Sequence, residues 1–262
     1  MIRDWLYNHP TWEVGTVIVI LSVLVSWIGL YVFDRLVHVS IRSRHNDVAG
    51  FIIAIIGVVY AVLLAFIAVA AWASFDSASR VVQQEANLVG NLYRDSIALD
   101  EPARSQMRQA LSEYLDIVVN HEWPAQQAGH PDAHAWTAVE RLHGVVTGID
   151  AKTLGQSVVE AELLKTLNEL YTARRTRLLA ASDGIPDTIW WILVLGGTIT
   201  VGFTYFFGMP SIRMHYAMTG VLAAAMALVM VLIIALDWPF RGEVSITPEA
   251  FKAVQDNIKE QQ

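Results

Sequence analysis

Apolar residues fill four long blocks of the chain, at positions 14–33, 48–75, 188–207 and 217–236, and none of the four contains Asp, Glu, Lys, Arg or His. Crossing a bilayer takes about 20 consecutive apolar residues. A soluble protein can bury one such run as a core helix, but four in one chain read as membrane spans. The connectors at 34–47 and 208–216 are short, so each pair of spans is a hairpin, and both connectors lie on one side of the membrane. The N-terminus, the central region and the C-terminal tail then share the other side. The fold class expected is an all-α membrane protein with four transmembrane helices in two hairpins and a helical extramembrane domain between the second and third. The divisions are an N-terminal hairpin (1–75), the extramembrane domain (76–187), a C-terminal hairpin (188–236) and an amphipathic tail (237–262). The first block follows an acidic-leaning start (Asp4, Glu13) and no small-residue cleavage site follows it, so it reads as a retained span and not a signal peptide.

The central region reads as helical throughout. Little interrupts the pattern between Val48 and Leu99, so the second span is expected to leave the membrane as one long helix. Asp100-Glu101-Pro102 is a stop and restart, since proline suits a first helical turn. Met107, Leu111, Tyr114, Leu115 and Val118 then recur with helical period. Pro124 is expected to end that helix, with a loop at 126–131 and a short helix over 132–146. A further helix is expected over 161–182, with Leu163, Leu167, Leu170 and Leu178 on one face. Gly184 and Pro186 precede the third span, with Asp187 as its expected N-cap.

Composition sharpens this picture. The chain is 54% hydrophobic and 16% charged, below the roughly 25% charge usual in soluble domains. Within 76–187, sixteen carboxylates face ten cationic side chains. The overall formal charge is −7, which argues against nucleic acid as a partner. There is no cysteine, so thiolate catalysis, disulfides and cysteine-ligated metals or haem are excluded. No nucleophile elbow, phosphate loop, zincin pair or dinucleotide fingerprint occurs, so no enzyme and no cofactor is expected. Charge speaks two ways on orientation. Arg35, Arg42, Arg44 and Arg213 on the short connectors favour the cytoplasm for that side, whereas Arg174, Arg175 and Arg177 stand close to the third span.

Several motifs remain. Gly50, Ala54, Gly57, Ala61, Ala65 and Ala68 form a stripe of small residues along the second span. Small residues let helices approach closely in lipid. The stripe therefore packs either within one subunit or in a ring of second helices around an axis. Val58, Leu63, Leu64 and Phe66 are candidates for a hydrophobic gate, which closes by dewetting. Asp47 and Asp76 bracket the span, 29 residues apart, or about 43 Å at 1.5 Å per residue. Asp47 suits an N-cap. Asp76 is the better candidate for a ring of carboxylates, which would favour cations, although simple solvation also explains it. His121, Glu122, His130, Asp132 and His134 cluster around a loop but match no strong metal-ligand spacing, so no metal is expected. Asp237-Trp238-Pro239-Phe240 suits an interfacial anchor, and Glu85, Arg94, Asp237 and Arg241 could form a charged network beside the membrane.

Val82-Gln83-Gln84-Glu85-Ala86-Asn87, then Leu92-Tyr93-Arg94, Glu122-Trp123-Pro124 and Asp237-Trp238-Pro239-Phe240-Arg241-Gly242-Glu243 occur in that order. With these pieces the chain resembles, from Ser79 to Phe251, the bestrophin-like family of bacterial and plant membrane proteins of unknown function. The distant relation implied is to bestrophins, which are oligomeric ion channels. The expectation is a homo-oligomer in the lipid bilayer, in a bacterial inner membrane, that passes small inorganic ions with a lean towards cations. The spans lack Asp, Glu, His and proline, which speaks against a coupled transporter. The alternative is a non-conducting sensor or scaffold whose helical domain binds a partner.

Overall fold

A computed structural model of the chain describes residues 2–129 and 135–260. Eleven α-helices occur in order among the described residues. They are α1 (Ile2–Asn8), α2 (Thr11–Leu36), α3 (Val39–Ser43), α4 (Asn46–Asp95), α5 (Ala103–Ile117), α6 (Trp123–Gln127), α7 (Ala135–Thr147), α8 (Leu154–Ser182), α9 (Asp187–Phe203), α10 (Ile212–Asp237) and α11 (Glu249–Glu260). No strand occurs among the described residues. Among the described residues four helical stretches are long and apolar enough to cross a membrane, and they contain the four blocks read from the sequence to within one residue. The protein is an integral membrane protein.

The chain forms two compact units. The first comprises Met1–Ala73, Gly184–Asp237 and Gly242–Val244. In it α2 packs along α10, and glycine makes close approach possible. A Cβ on Gly220 would lie 2.9 Å from Trp27 Nε1, which donates to the Tyr216 carbonyl at 2.9 Å. Tyr60 of α4 reaches α9, where its hydroxyl donates to the Leu193 carbonyl at 2.8 Å. Its ring fills the space that a Cβ on Gly196 would need, 2.7 Å away. Tyr60, Leu64, Leu193 and Ile233 make a small apolar core there. The two short connectors interlock. Asn46 Nδ2 donates to the Gly208 carbonyl at 3.0 Å and Gly208 N donates back to Asn46 Oδ1 at 2.9 Å. Arg42 is buried, paired with Asp34, and donates to the Tyr205 carbonyl at 3.1 Å. Glu243 accepts from the Thr11 backbone N–H at 2.8 Å, capping the start of α2.

The second unit comprises Ser74–Asp183, Trp238–Arg241 and Ser245–Gln262. Its core is built from the inward faces of α4, α5, α7, α8 and α11, with Leu92, Leu111, Tyr114, Leu142, Leu170 and Phe251 fully buried. The amphipathic α11 docks through Phe251 and Ile258. Phe240 packs edge-on against Trp123, with ring centroids 5.5 Å apart, so this residue belongs to the core of that unit and not to an interfacial anchor.

Several local expectations change. The second span does continue as one helix, α4, to Asp95, followed by a 3-10 turn at Ser96–Ala98. Pro124 does not end the preceding helix. The backbone passes through a π-turn at Val118–Glu122 and on into α6 through Gln127. Proline at the first turn of the new segment lacks an N–H that the wider turn does not require. The helix expected over 161–182 begins earlier, at Leu154, where Thr153 and Gln156 form a capping box. The helix expected over 132–146 is described from Ala135 and ends at Thr147. Pro186 occupies the cap position of α9, so Asp187 is its first residue. Asn46 opens α4 and Asp47 stands in its first turn, so Asp47 is not the cap.

Candidate functional site: the outward face of the second span

Helix α4 carries no Asp, Glu, Lys, Arg or His from Val48 to Phe75. One seam of it, with Ala49, Tyr60, Leu64 and Ala71, is buried within the chain. On the opposite side, Val58 is 63% exposed, Val62 48% and Phe66 71%. Steps of four along a helix of 3.6 residues per turn put these three on one winding face, and Phe51, Ile55 and Val69 extend it. About a quarter of a turn from the buried seam, by the same periodicity, runs the small-residue stripe. A Cβ on Gly50 or Gly57 would meet nothing within 4 Å. Ala54, Ala61 and Ala65 are exposed, and Ala68 alone of the stripe packs against the small core. Most of the stripe therefore has no partner inside the chain.

The gate candidates separate on burial. Val58 and Phe66 lie open, whereas Leu64 is 6% exposed and Leu63 packs beside it against the small core. Leu64 and Leu63 are corrected to packing residues. Val62, which sequence reasoning missed, stands between the two open candidates; the spacing of four from each was the available signal. Asp47 is exposed. Asp76 is ion-paired with Arg80 one turn on, at 2.5 Å, with both side chains substantially exposed. Its carboxylate is therefore not an isolated charge.

A buried charged network forms around Glu85, and Arg94 is not a member of it. Glu85 is fully buried and Arg94 is exposed. Arg177 Nε donates to Glu85 Oε2 at 2.7 Å, and its Nη2 donates to Glu85 Oε1 at 3.0 Å and Glu122 Oε2 at 2.8 Å. Arg177 Nη1 donates to Gln126 Oε1 at 2.8 Å, and Arg174 Nη2 to Glu122 Oε1 at 2.6 Å. Tyr114 completes the set, its hydroxyl donating to Glu85 Oε1 at 2.5 Å. Two arginines and two glutamates, all wholly excluded from solvent, balance in formal charge. Burial is what makes such pairing obligatory. Burial would pull the Arg177 guanidinium down, but Glu85 and Glu122 beside it more than offset that and hold it above its ordinary range. Burial and then the Glu85 carboxylate push the Tyr114 phenol well above its usual value, so it stays a donor.

Arg94 is corrected accordingly. Arg94 is at the surface, and the Arg241 guanidinium lies 3.1 Å from the position of a Cβ on Gly129. Asp237 accepts from the Ile185 backbone N–H at 2.5 Å at the entry to α9. Of the histidine-rich cluster, Glu122 is committed to the two arginines, while His130, Asp132 and His134 lie outside the described residues. Among the described residues no group of three or more metal-ligating side chains occurs.

An all-helical membrane protein with this element order is the class that the fold defines. A family model described as the Bestrophin-like domain matches residues 20–251. The chain belongs to the bestrophin-like family. Among solved structures, it is similar to a bacterial bestrophin homologue from Klebsiella pneumoniae carrying a point substitution, at TM-score 0.68 and 12% identity, covering 94% of this chain and 98% of that one. A second substituted form of that homologue gives TM-score 0.67 at 13% identity, covering 96% and 98%. A structure described as a membrane protein gives 0.66 at 13%, covering 94% and 97%. No curated protein matches the chain significantly.

Proposed function

We propose that the chain assembles into a homo-oligomeric channel for small inorganic ions, with α4 of each copy set around a common axis. The observation that carries this reading is the outward face of α4. It is uncharged over the whole span, bulky and apolar at Val58, Val62 and Phe66, and flanked by small residues, of which Gly50 and Gly57 have open space where a Cβ would stand. In a ring, the small flank of one α4 allows a neighbour to approach closely, and the bulky face turns inward. A narrow apolar ring of this kind gates by dewetting. Family membership supports the same reading. The shared side of the termini and the extramembrane domain is part of the proposal.

The lean towards cations finds no support, because it rested on Asp76 as a free ring charge and Asp76 is paired with Arg80. The test is native mass spectrometry of the purified chain together with current in planar bilayers. A single oligomeric mass with discrete unitary currents is expected. A monomer, or a folded oligomer without current across voltage, pH and calcium, would favour a sensor or scaffold anchored by its spans.

A further inference from the structure

We propose that the end of the membrane unit formed by the two interlocked connectors is a docking surface for anionic phospholipid headgroups. The connectors are held together by the reciprocal Asn46–Gly208 hydrogen bonds, so residues 35–47 and 205–214 present one surface. Buried Arg42 takes up the Asp34 carboxylate. That leaves Arg35, Arg44 and Arg213, all exposed and none of them in an ion pair, against Asp47 as the exposed carboxylate of this surface. The surface therefore carries unbalanced positive charge at the level where the spans leave the bilayer.

Apolar side chains surround these cations. Leu36 is 77% exposed, and Ile41 and Met214 are also exposed, within a few residues of the three arginines. A site for a free anion in water would not place bare apolar side chains among its cations. A headgroup with acyl chains satisfies both, since the guanidinium fork matches a phosphate and the apolar side chains enter the acyl boundary. Phosphatidylglycerol offers the phosphate with net negative charge, and phosphatidylcholine offers the same phosphate with its charge cancelled.

The experiment uses the full chain, equilibrated in detergent with equimolar phosphatidylglycerol and phosphatidylcholine, with retained lipids counted by native mass spectrometry. A several-fold excess of phosphatidylglycerol is expected, unaffected by millimolar inorganic phosphate. It should fall to parity in Arg35→Gln/Arg44→Gln/Arg213→Gln. It should persist in Arg80→Gln/Arg94→Gln/Arg175→Gln, which removes the same charge from the other unit. Unchanged elution and melting profiles would show that the variants fold. Parity in the unmodified protein overturns the proposal, as does an unchanged excess in the connector variant. Loss of the excess in the control variant would mean that net charge alone acts, and displacement by inorganic phosphate would make a free anion the occupant; either result overturns it.

Discussion

Arg177 and Glu85 stand 92 positions apart in the chain, yet Arg177 Nε donates to Glu85 Oε2 across 2.7 Å with both side chains wholly out of solvent. Glu85 belongs to α4 and Arg177 to α8. Glu122 and Gln126 bring in the π-turn and α6, and Tyr114 brings in α5. One charged cluster thus ties together most helices of the extramembrane unit, and the aromatic rings of Trp123 and Phe251 lie 5.6 and 5.7 Å from the Arg177 guanidinium.

Removing one partner leaves a buried charge without its match, at a cost of about 3–5 kcal/mol. Arg177→Met is therefore expected to lower stability by that order. Denaturant titration followed by tryptophan fluorescence measures it. Arg175→Met, two residues back on the opposite and exposed face of α8, should change little. Equal stability of the two variants would remove the network from the account of this unit.

The Tyr114 phenol has a raised pKa in the folded state, caused first by burial and then by Glu85. The sign follows from linkage. The neutral form is favoured in the fold, so its contribution is complete below the ordinary phenol value of 10.0 and is lost as pH rises beyond it towards the folded value. Melting temperature should fall above about pH 10, and part of that fall should disappear in Tyr114→Phe.

Gly208 has no room for a side chain. A Cβ there would lie 2.6 Å from Ser43 Cα and 2.9 Å from the Arg42 carbonyl carbon, both backbone atoms. Gly208→Ala is expected to separate the connectors and cost at least the roughly 1–3 kcal/mol of an overpacked site. Gly202→Ala, with nothing within 4 Å, is the control. Thermal denaturation in detergent compares them.

Much of this architecture is legible in the sequence, for a physical reason. A lipid-spanning helix must be apolar along its whole length, so the four blocks announce themselves, and Asp100-Glu101-Pro102 marks a real break. The network was not legible, because a buried glutamate and a solvated one are the same letter. A signal did exist. The apolar face of α8 steps from Leu163 through Leu167 and Leu170 onto Arg174 and Arg177 at intervals of three and four, and Leu115 and Val118 lead likewise to Glu122. A charge that falls on a buried stripe needs a partner on another stripe. Leu64 was misread for the converse reason: lipid-facing, axis-facing and packed positions on α4 are all apolar, so composition cannot separate them.

The Asp76–Arg80 pair bears on selectivity. Asp76→Asn leaves Arg80 without its partner, so any influence on current should move the reversal potential in a salt gradient towards the anion limit. Arg80→Gln should move it the other way. Shifts of the same sign in both variants would exclude the pair from ion selection.

The central claim is that the outward face of α4 lines the conducting path. The chain has no cysteine, so a single introduced thiol is the only one present. Val58→Cys, Val62→Cys and Phe66→Cys, with Leu24→Cys on α2 as an exposed apolar control, should be studied in planar bilayers with a charged methanethiosulfonate reagent. The account predicts irreversible loss or rescaling of current at Val62→Cys and Phe66→Cys and none at Leu24→Cys. Current that persists unchanged at all three α4 positions, despite mass-verified modification, would contradict it.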